Sequence, residues 1–425
     1  MTAQDFLREF HAQGLLVDTD RLADVTAIQK KIVAEGDAAL LEYTAKFDGV
    51  DVSDFQIKVS PEEIKAAYEQ VSDPLLSAMK ASHDQIMSFH EQQQPQDWRE
   101  SIDQGFRGVQ YRPIEKVALY VPGGRAVYPS SVLMNGVPSK IAGVKDRILL
   151  SPPDAAGHLN PLVLVAADLC GITQLYKVGG AQAIFAVSCG ATSLPQVDKV
   201  VGPGNIYVTL AKQLVYGRVD IDKPAGPSEV LVVLDEASYV PYAVAELFAQ
   251  LEHDPLCSAV CVSTSPALSE AVQAAVQVSL ASCKRREIIE AAMANSYLVT
   301  CENWDQIPDV INHVASEHVC LVTDRYDSLL PHIHHAGAIF CGPYTPVALG
   351  DFYAGPNHVL PTSGTARFAS PLGVMDFMKH STLLHYDRPG LAKVTPEVAL
   401  LARSEDLDAH AVACEIRVSE DGLDG

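Results

Sequence analysis

Glu317 and His318 stand side by side in Ala315-Ser316-Glu317-His318, where a helical pattern gives way to the apolar run VCLVT. An imidazole titrates near about pH 6.5, so it can take up and release protons at working pH. A carboxylate beside it can hold the ring's tautomer or activate water. Gln250 and His253 lie three residues apart on an expected helix, so their side chains share a face and could reach one metal ion. Asp351 and His358 flank the segment DFYAGPNH, whose Gly-Pro makes it an irregular, ligand-accessible loop. Glu405 and His410 fall in LARSEDLDAHA. Taken alone, Gln250 and His253 are more simply a solvated residue and a helix-end histidine, Asp351 and His358 a turn, Glu405 and His410 a charged helix end, and Glu317-His318 a chance adjacency.

The glycine-rich turns add a second kind of chemistry. Tyr120-Val121-Pro122-Gly123-Gly124, Gly179-Gly180-Ala181-Gln182 and Gly202-Pro203-Gly204-Asn205 each follow an expected strand. All three fall within one series of alternating strands and helices, as loops lining a single cofactor edge would. No G-x-G-x-x-G is present, and the nearest string, GPGNIY, lacks the third glycine.

The elements that must position these residues change in character along the chain. The first hundred residues read as helices: Ser60-Pro61-Glu62-Glu63 combines a capping Ser, a Pro at the first helical position and a Glu three residues on. An amphipathic segment then runs to about Glu91. From Lys116, short β-branched runs alternate with helical stretches, which means βαβ units and a parallel sheet. The pattern resumes at EVLVVLD after the Pro/Gly-rich break DKPAGPS at 222–228, a crossing between domains. The fold class expected is α/β, with two Rossmann-like doubly wound domains, the second inserted into the first. Residues 1–118 are expected to be the helical N-terminal part of the first domain and 119–228 the inserted domain. Residues 229–370 complete the first domain, and 371–425 form a charged tail of helix and loop.

A chain of 425 residues has room for two to three domains at roughly 150 residues each. Its 48% hydrophobic and 20% charged residues describe an ordinary globular protein. The net charge of -22 repels nucleic-acid phosphates and anionic membranes and disfavours both as partners. No apolar run approaches the ~20 residues of a membrane span, and the N-terminal residues lack the pattern of a secretory signal. Nine cysteines without a C-x-x-C pair fit reduced thiols and a cytoplasmic location.

Eight ordered blocks then tie the scattered residues together. They are YVPGGRAVYPSSVLMN from Tyr120, VGGAQAIFA from Val178, GPGNIYV from Gly202, DKPAGPSEVLV from Asp222, AQLEHDP from Ala249, ASEHV from Ala315, GDFYAGPNHVLPTSGTARF from Gly350 and LARSEDLDAHA from Leu401. On these blocks the sequence resembles the histidinol dehydrogenase family over essentially its whole length. The resemblance implies oxidation of L-histidinol to L-histidine through the aldehyde, at the end of histidine biosynthesis, with zinc and NAD as cofactors. It implies that Gln250, His253, Asp351 and His410 hold zinc, with His410 arriving from the partner subunit of a homodimer through the C-terminal tail. It implies that Glu317 and His318 are the acid-base pair and that Ser228, His358 and Glu405 contact substrate, along with the zinc-holding residues and Glu317. Tyr120, Gln182 and Asn205 match contacts to NAD, on the side of the inserted domain. Two positions depart from the family's pattern. Leu251 stands where a small Ala is usual, and Val319-Cys320 replace the usual Leu and acidic residue, a change expected to make the site more sensitive to oxidation. Three rivals are weaker. A zinc hydrolase would leave the glycine turns without purpose and lacks H-E-x-x-H, and a two-lobed metal- or solute-binding protein of the usual periplasmic form would be expected to carry an export signal. A related zinc- and NAD-dependent enzyme for another small alcohol would not need His358, Glu405 and all four ligand positions.

Overall fold

The computed structural model is described over residues 1–10, 19–123 and 128–419, so Gly124 of the first glycine turn lies outside the described residues. The chain begins with helices α1 (Ala3–Glu9), α2 (Thr19–Glu35), α3 (Asp37–Asp48), α4 (Pro61–Tyr68) and α5 (Asp73–Glu91), then strands β1 (Trp98–Ile102) and β2 (Gly105–Pro113). A first alternating series follows: β3 (Lys116–Tyr120), α6 (Pro129–Ile141), β4 (Asp146–Ser151), α7 (Pro161–Leu169), β5 (Gln174–Lys177), α8 (Gly180–Cys189), β6 (Lys199–Val201), α9 (Ile206–Val215) and β7 (Asp220–Ile221). The second series opens with β8 (Glu229–Leu234), α10 (Val240–Leu251), β9 (Ser258–Ser263), α11 (Pro266–Leu280), α12 (Arg286–Ala292) and β10 (Tyr297–Thr300). It continues through α13 (Ile307–Val314), β11 (His318–Val322), α14 (Tyr326–Leu329), β12 (Ala338–Cys341) and α15 (Val347–Phe352). Last come β13 (Met378–Tyr386), α16 (Arg388–Ser404) and α17 (Asp408–Glu415).

The chain packs as two units, Met1–Gln93 with Ile114–Phe377, and Gln94–Pro113 with the chain from Met378 onward. The first unit holds two all-parallel sheets, ordered β5-β4-β3-β6-β7 and β10-β9-β8-β11-β12. Each winds outward from its first strand in one direction and then returns to wind in the other, which is the doubly wound α/β arrangement expected. Helices cover both faces of the second sheet. Val230, Val232 and Leu234 pack with Leu247 of α10, while Leu231 and Val233 pack with Phe6 of α1 and Ile311 of α13. This alternation follows from the two-residue period of a strand. In the second unit β1, β2 and β13 form an antiparallel sheet in that order, and α16 packs on α17. Among the described residues no helix is long and apolar enough to cross a membrane.

The capping box foreseen at Ser60 is formed: its side chain accepts the Glu63 N–H at 3.2 Å and Glu63 Oε2 accepts the Ser60 N–H at 2.9 Å. Other parts of the sequence division differ. Only α1 joins the core of the second sheet, whereas α2 and α3 share the core of the first and α4 and α5 pack on α7 and α6. Helical periodicity reports that a helix has an apolar face, not which sheet that face covers. Residues 98–113, grouped from sequence with the helical N-terminal part, are strands, and the tail read as helix and loop contributes β13. Those strands are mostly exposed or half-buried, so they carry little apolar alternation to read.

The connection from β7 to β8 sets the geometry of everything described below. The chain leaves the carboxyl end of β7 at Ile221 and reaches the amino end of β8 at Glu229 through residues 222–228. Seven residues reach at most ~25 Å, so the carboxyl edge of one sheet and the amino edge of the other are held near each other. A buried ion pair fixes the start of this crossing. Lys212 Nζ of α9 binds Asp222 and also donates to the carbonyls of Gly202 at 2.9 Å and Lys223 at 3.2 Å, while Asp222 Oδ2 accepts the Gly202 N–H at 2.9 Å. Burial opposes the charge on Asp222, but the neighbouring Lys212 and Lys223 ammoniums outweigh it and hold the carboxyl below its usual range. Its folded pKa being depressed, the carboxylate's contribution is present at neutral pH and lost as pH falls through the folded value. Asp222→Ala strands a buried ammonium and is expected to cost about 3–5 kcal/mol. Urea unfolding at pH 7 measures this, and a loss below about 1 kcal/mol would contradict the role given to the pair.

Candidate active site

Glu317 and His318 are placed by the end of α13 and the start of β11. Ala315, the C-cap of α13, takes the left-handed conformation at φ 52 and donates its N–H to Ile311 O at 2.9 Å. A non-glycine residue there costs roughly 1 kcal/mol, and the turn it makes delivers Ser316 and Glu317 directly into the strand. Gly337 lies against the same corner, and a Cβ on it would meet the Glu317 carbonyl oxygen at 2.4 Å. The neighbouring strand can therefore approach only as glycine.

The main chain of Glu229, first residue of β8, holds both side chains. Its N–H donates to Glu317 Oε2 at 3.1 Å and its carbonyl lies 3.0 Å from His318 Nδ1. A carbonyl can only accept, so Nδ1 carries the proton and Nε2 presents a lone pair. Glu317 Oε2 lies 3.4 Å from the same Nδ1. Burial pushes His318 down to about 4, helped by His253 and His358, so the ring is neutral across the physiological range. Burial raises the Glu317 carboxyl well above its usual value, with Glu229 and Asp351 adding like charge.

Around this pair the structure places His253 and His358, whose charge reaches His318, and Asp351, whose charge reaches Glu317. Gln250 is buried in the last turn of α10 at 2% exposure. His253 follows on the exposed end of that helix, where the surrounding protein still holds its ring below the usual value by desolvation. Asp351 lies in α15 and is pushed up to about 7 by burial and the charge of Glu246. His358 is pushed down to about 4 by burial, and its Nε2 is buried without a partner among the described residues. Its loop is pinned on both sides: Asn357 Nδ2 donates to Met134 O of α6 at 2.7 Å, Lys223 Nζ to Val359 O at 3.3 Å, and Gly226 N to Thr362 Oγ1 at 2.7 Å. Ser228 ends the crossing, its carbonyl accepting the Ser258 N–H at 3.2 Å. Glu405 and His410 belong to the second unit, where both are exposed and Glu405 caps the carboxyl end of α16.

The three glycine turns stand at the carboxyl ends of β3, β5 and β6. Tyr120 is buried, pushed up to about 12 by desolvation, and its hydroxyl accepts the Gly180 N–H at 3.0 Å. Gln182 is 1% exposed, and among the described residues both atoms of its amide lack partners. An amide enclosed without partners costs a few kcal/mol, about the value of the bonds a ligand could restore. Asn205 is exposed and caps α9, its Oδ1 accepting the N–H groups of Tyr207 at 3.0 Å and Val208 at 3.2 Å. Gly202 approaches Tyr120 so closely, at φ 111, that a Cβ would fall 2.1 Å from the Tyr120 carbonyl.

Two carboxylates of the site escaped the sequence reading. Glu229 is pushed up to about 7 by burial, and its Oε2 has no partner among the described residues. Glu246, 8% exposed, is likewise raised by burial. A lone acid on an apolar face, as in AVAELFAQL, was the signal available for Glu246; Glu229 opens an apolar strand directly after Ser228.

Among the described residues no group of three or more His, Cys, Asp or Glu side chains stands close enough to hold a metal. The set implied by the family contains a glutamine and a residue of the second unit, so the first unit supplies only His253 and Asp351 of those types. The surroundings nevertheless suit a cation. Glu229, Glu246, Glu317 and Asp351 are enclosed carboxylates with no Lys or Arg bonded to them among the described residues, and imidazoles held neutral can donate lone pairs. Neutral nitrogen with carboxylate and amide oxygen is a donor set zinc accepts.

A family model described as histidinol dehydrogenase matches residues 15–418. The histidinol dehydrogenase of Thermosynechococcus vestitus is 45% identical over 402 residues, covering 94% of this chain and 93% of that protein. That of Lactococcus lactis is 43% identical over 419 residues, covering 98% and 97%. The crystal structure of histidinol dehydrogenase from Elizabethkingia anophelis aligns with a TM-score of 0.93 at 33% identity, over 97% of this chain and 96% of that one.

Cys320 does not have the character foreseen from sequence. It is 1% exposed, its thiol points to Glu246 Oε2 at 3.9 Å, and burial with nearby carboxylates raises its pKa well above the usual value. A thiolate is the reactive form, so this thiol is inert in the fold. Native protein treated with iodoacetamide at pH 8 should leave Cys320 unmodified, and urea should release it to full labelling. Mass spectrometry of the peptide reads the difference, and native labelling at the rate of a free thiol would contradict this environment.

Proposed function

The chain belongs to the histidinol dehydrogenase family and is an oxidoreductase of that kind, and on that premise we propose that it carries L-histidinol through L-histidinaldehyde to L-histidine using zinc and two NAD. The observation that supports this reading most is the neutral His318 beside Glu317, clasped by the Glu229 main chain and surrounded by carboxylates. When bound, zinc supplies a fixed positive centre that orients the substrate's neutral nitrogen donors, and NAD supplies the hydride acceptor. Gln250, His253, Asp351 and a partner subunit's copy of His410 are the residues we assign to zinc. Ser228, His358, Glu405 and Glu317 are assigned to substrate, and Tyr120, Gln182 and Asn205 to NAD.

His318 acts first. Its Nε2 lone pair takes the hydroxyl proton as the carbinol carbon gives up hydride, and Nδ1–H stays on the Glu229 carbonyl throughout. In the second half, Glu317 would take a proton from water as it adds to the aldehyde while His318 returns its proton to the aldehyde oxygen, and His318 Nε2, neutral again, would accept a hydroxyl proton of the hydrate as its carbon gives up hydride. A carboxyl raised above its usual range is, once ionised, a stronger base than a solvated one. Burial excludes bulk water, so the water that adds is one admitted to the site. Asn205 would act through α9, whose N-terminus its side chain completes and whose dipole favours an anionic ligand.

A homodimer is part of the same reading. It is supported by the exposed leucines of α16, Leu400 at 73% and Leu401 at 66%, which leave an apolar face on the unit that carries Glu405 and His410. Nine free cysteines suit a reducing cytoplasm.

With L-histidinol and excess NAD, absorbance should report two NADH per substrate, abolished by a chelator and restored by zinc. One equivalent or none, with the metal-replete protein, overturns the four-electron reading. Glu317→Gln should slow oxidation of the aldehyde by about a hundredfold or more and the alcohol step by much less; equal losses rule out water activation by Glu317. Mixing His410→Ala with His318→Asn subunits should regain part of the activity absent from either alone, and heterodimers shown to form yet inactive would refute a shared site.

A further inference from the structure

Three elements that carry separate parts of the site converge on one buried carboxylate. Glu246 lies on the buried face of α10, one helical turn before Gln250. Its Oε2 accepts the Val347 N–H at 3.0 Å, the first amide of α15, and Asp351 lies one turn further along that helix. The Cys320 thiol of β11 meets the same oxygen at 3.9 Å, from two residues after His318 and hence from the same strand face. The first amides of a helix have no acceptor within it. A helix as short as Val347–Phe352 has little stability of its own, so its placement depends on such tethers.

We propose that Glu246 is a positioning residue that fixes α15 against α10, so that Asp351 and Gln250 stand at the separation a shared cation requires. This rests on the assignment of those two residues to zinc made above. Glu246 is not among the residues assigned to substrate or cofactor, and its hydrogen bonds run to Val347 and Cys320. It acts through the two helices, as outer-shell groups behind metal ligands do.

The test compares zinc affinity of metal-stripped proteins by competition with a chromogenic chelator, beside thermal melting of the same metal-free samples. Glu246→Gln keeps an oxygen acceptor for the Val347 N–H and should bind zinc within about threefold of wild type. Glu246→Leu removes the acceptor and should weaken zinc by about 10–100-fold, raising KM for L-histidinol more than it lowers kcat. Glu246→Asp draws the carboxylate back by about 1.5 Å and should also weaken zinc severalfold, which keeps the proposal testable should the leucine variant fail to fold. Leucine and aspartate variants that both bind zinc within twofold of wild type overturn the role of Glu246. A wild-type protein that binds no zinc overturns instead the assignment on which it rests, so the two failures are distinguishable.

Discussion

The buried contact between Lys212 and Asp222 is the interaction on which the site's location depends. It ties α9, the Gly202 turn and the start of the crossing segment into one knot, and from there only residues up to 228 separate the two sheets. A ligand site in a doubly wound sheet ordinarily sits at the carboxyl ends of strands. Here the glycine turns do stand at the carboxyl ends of β3, β5 and β6, yet Glu317 and His318 stand at the amino end of β11. The crossing explains the exception. It leaves β7 at a carboxyl end and enters β8 at an amino end, so the two edges that border each other are of opposite kind. The loop carrying His358 bridges them, bound to Met134 on one side and to Lys223 and Gly226 on the other.

Much of this was legible in the sequence, and the reasons for the gaps are physical. Strongly apolar, β-branched runs such as KVALY and EVLVVL gave strands because both faces of a parallel sheet are buried. The Ser60 capping box gave a helix start to the residue because its chemistry is local. The assignment of α2–α5 to a sheet was not local, and periodicity carries no information about it. Strands β1, β2 and β13 lack a buried face along most of their length, so the signal that marks a strand is weak in them.

The site residues divide in the same way. Glu317, His318, Gln250, His253, Asp351 and His358 were found as residue types able to do chemistry, and became a set only through the ordered blocks. Glu229 went unseen because its contribution to the acid-base pair comes through its backbone N–H and C=O, which every non-proline residue possesses. Cys320 was misjudged for a related reason. Its neighbourhood in sequence suggested a reactive thiol beside the site, and it does share a strand face with His318, but it is buried in the core beside Glu246, which residue spacing does not report.

The net charge of -22 and the enclosed carboxylates act at different ranges. The overall field is screened within about 8–10 Å in physiological salt, so it favours the approach of cations without setting what happens inside. Inside, burial raises Glu229, Glu317, Glu246 and Asp351 together while lowering His318 and His358, so every one of these groups is pushed toward its neutral form. A bound divalent cation reverses that pressure for the carboxylates and leaves it in place for the imidazoles. The same enclosure that keeps His318 a neutral proton acceptor therefore makes the carboxylates around it responsive to a cation, and one desolvated environment prepares both halves of the chemistry.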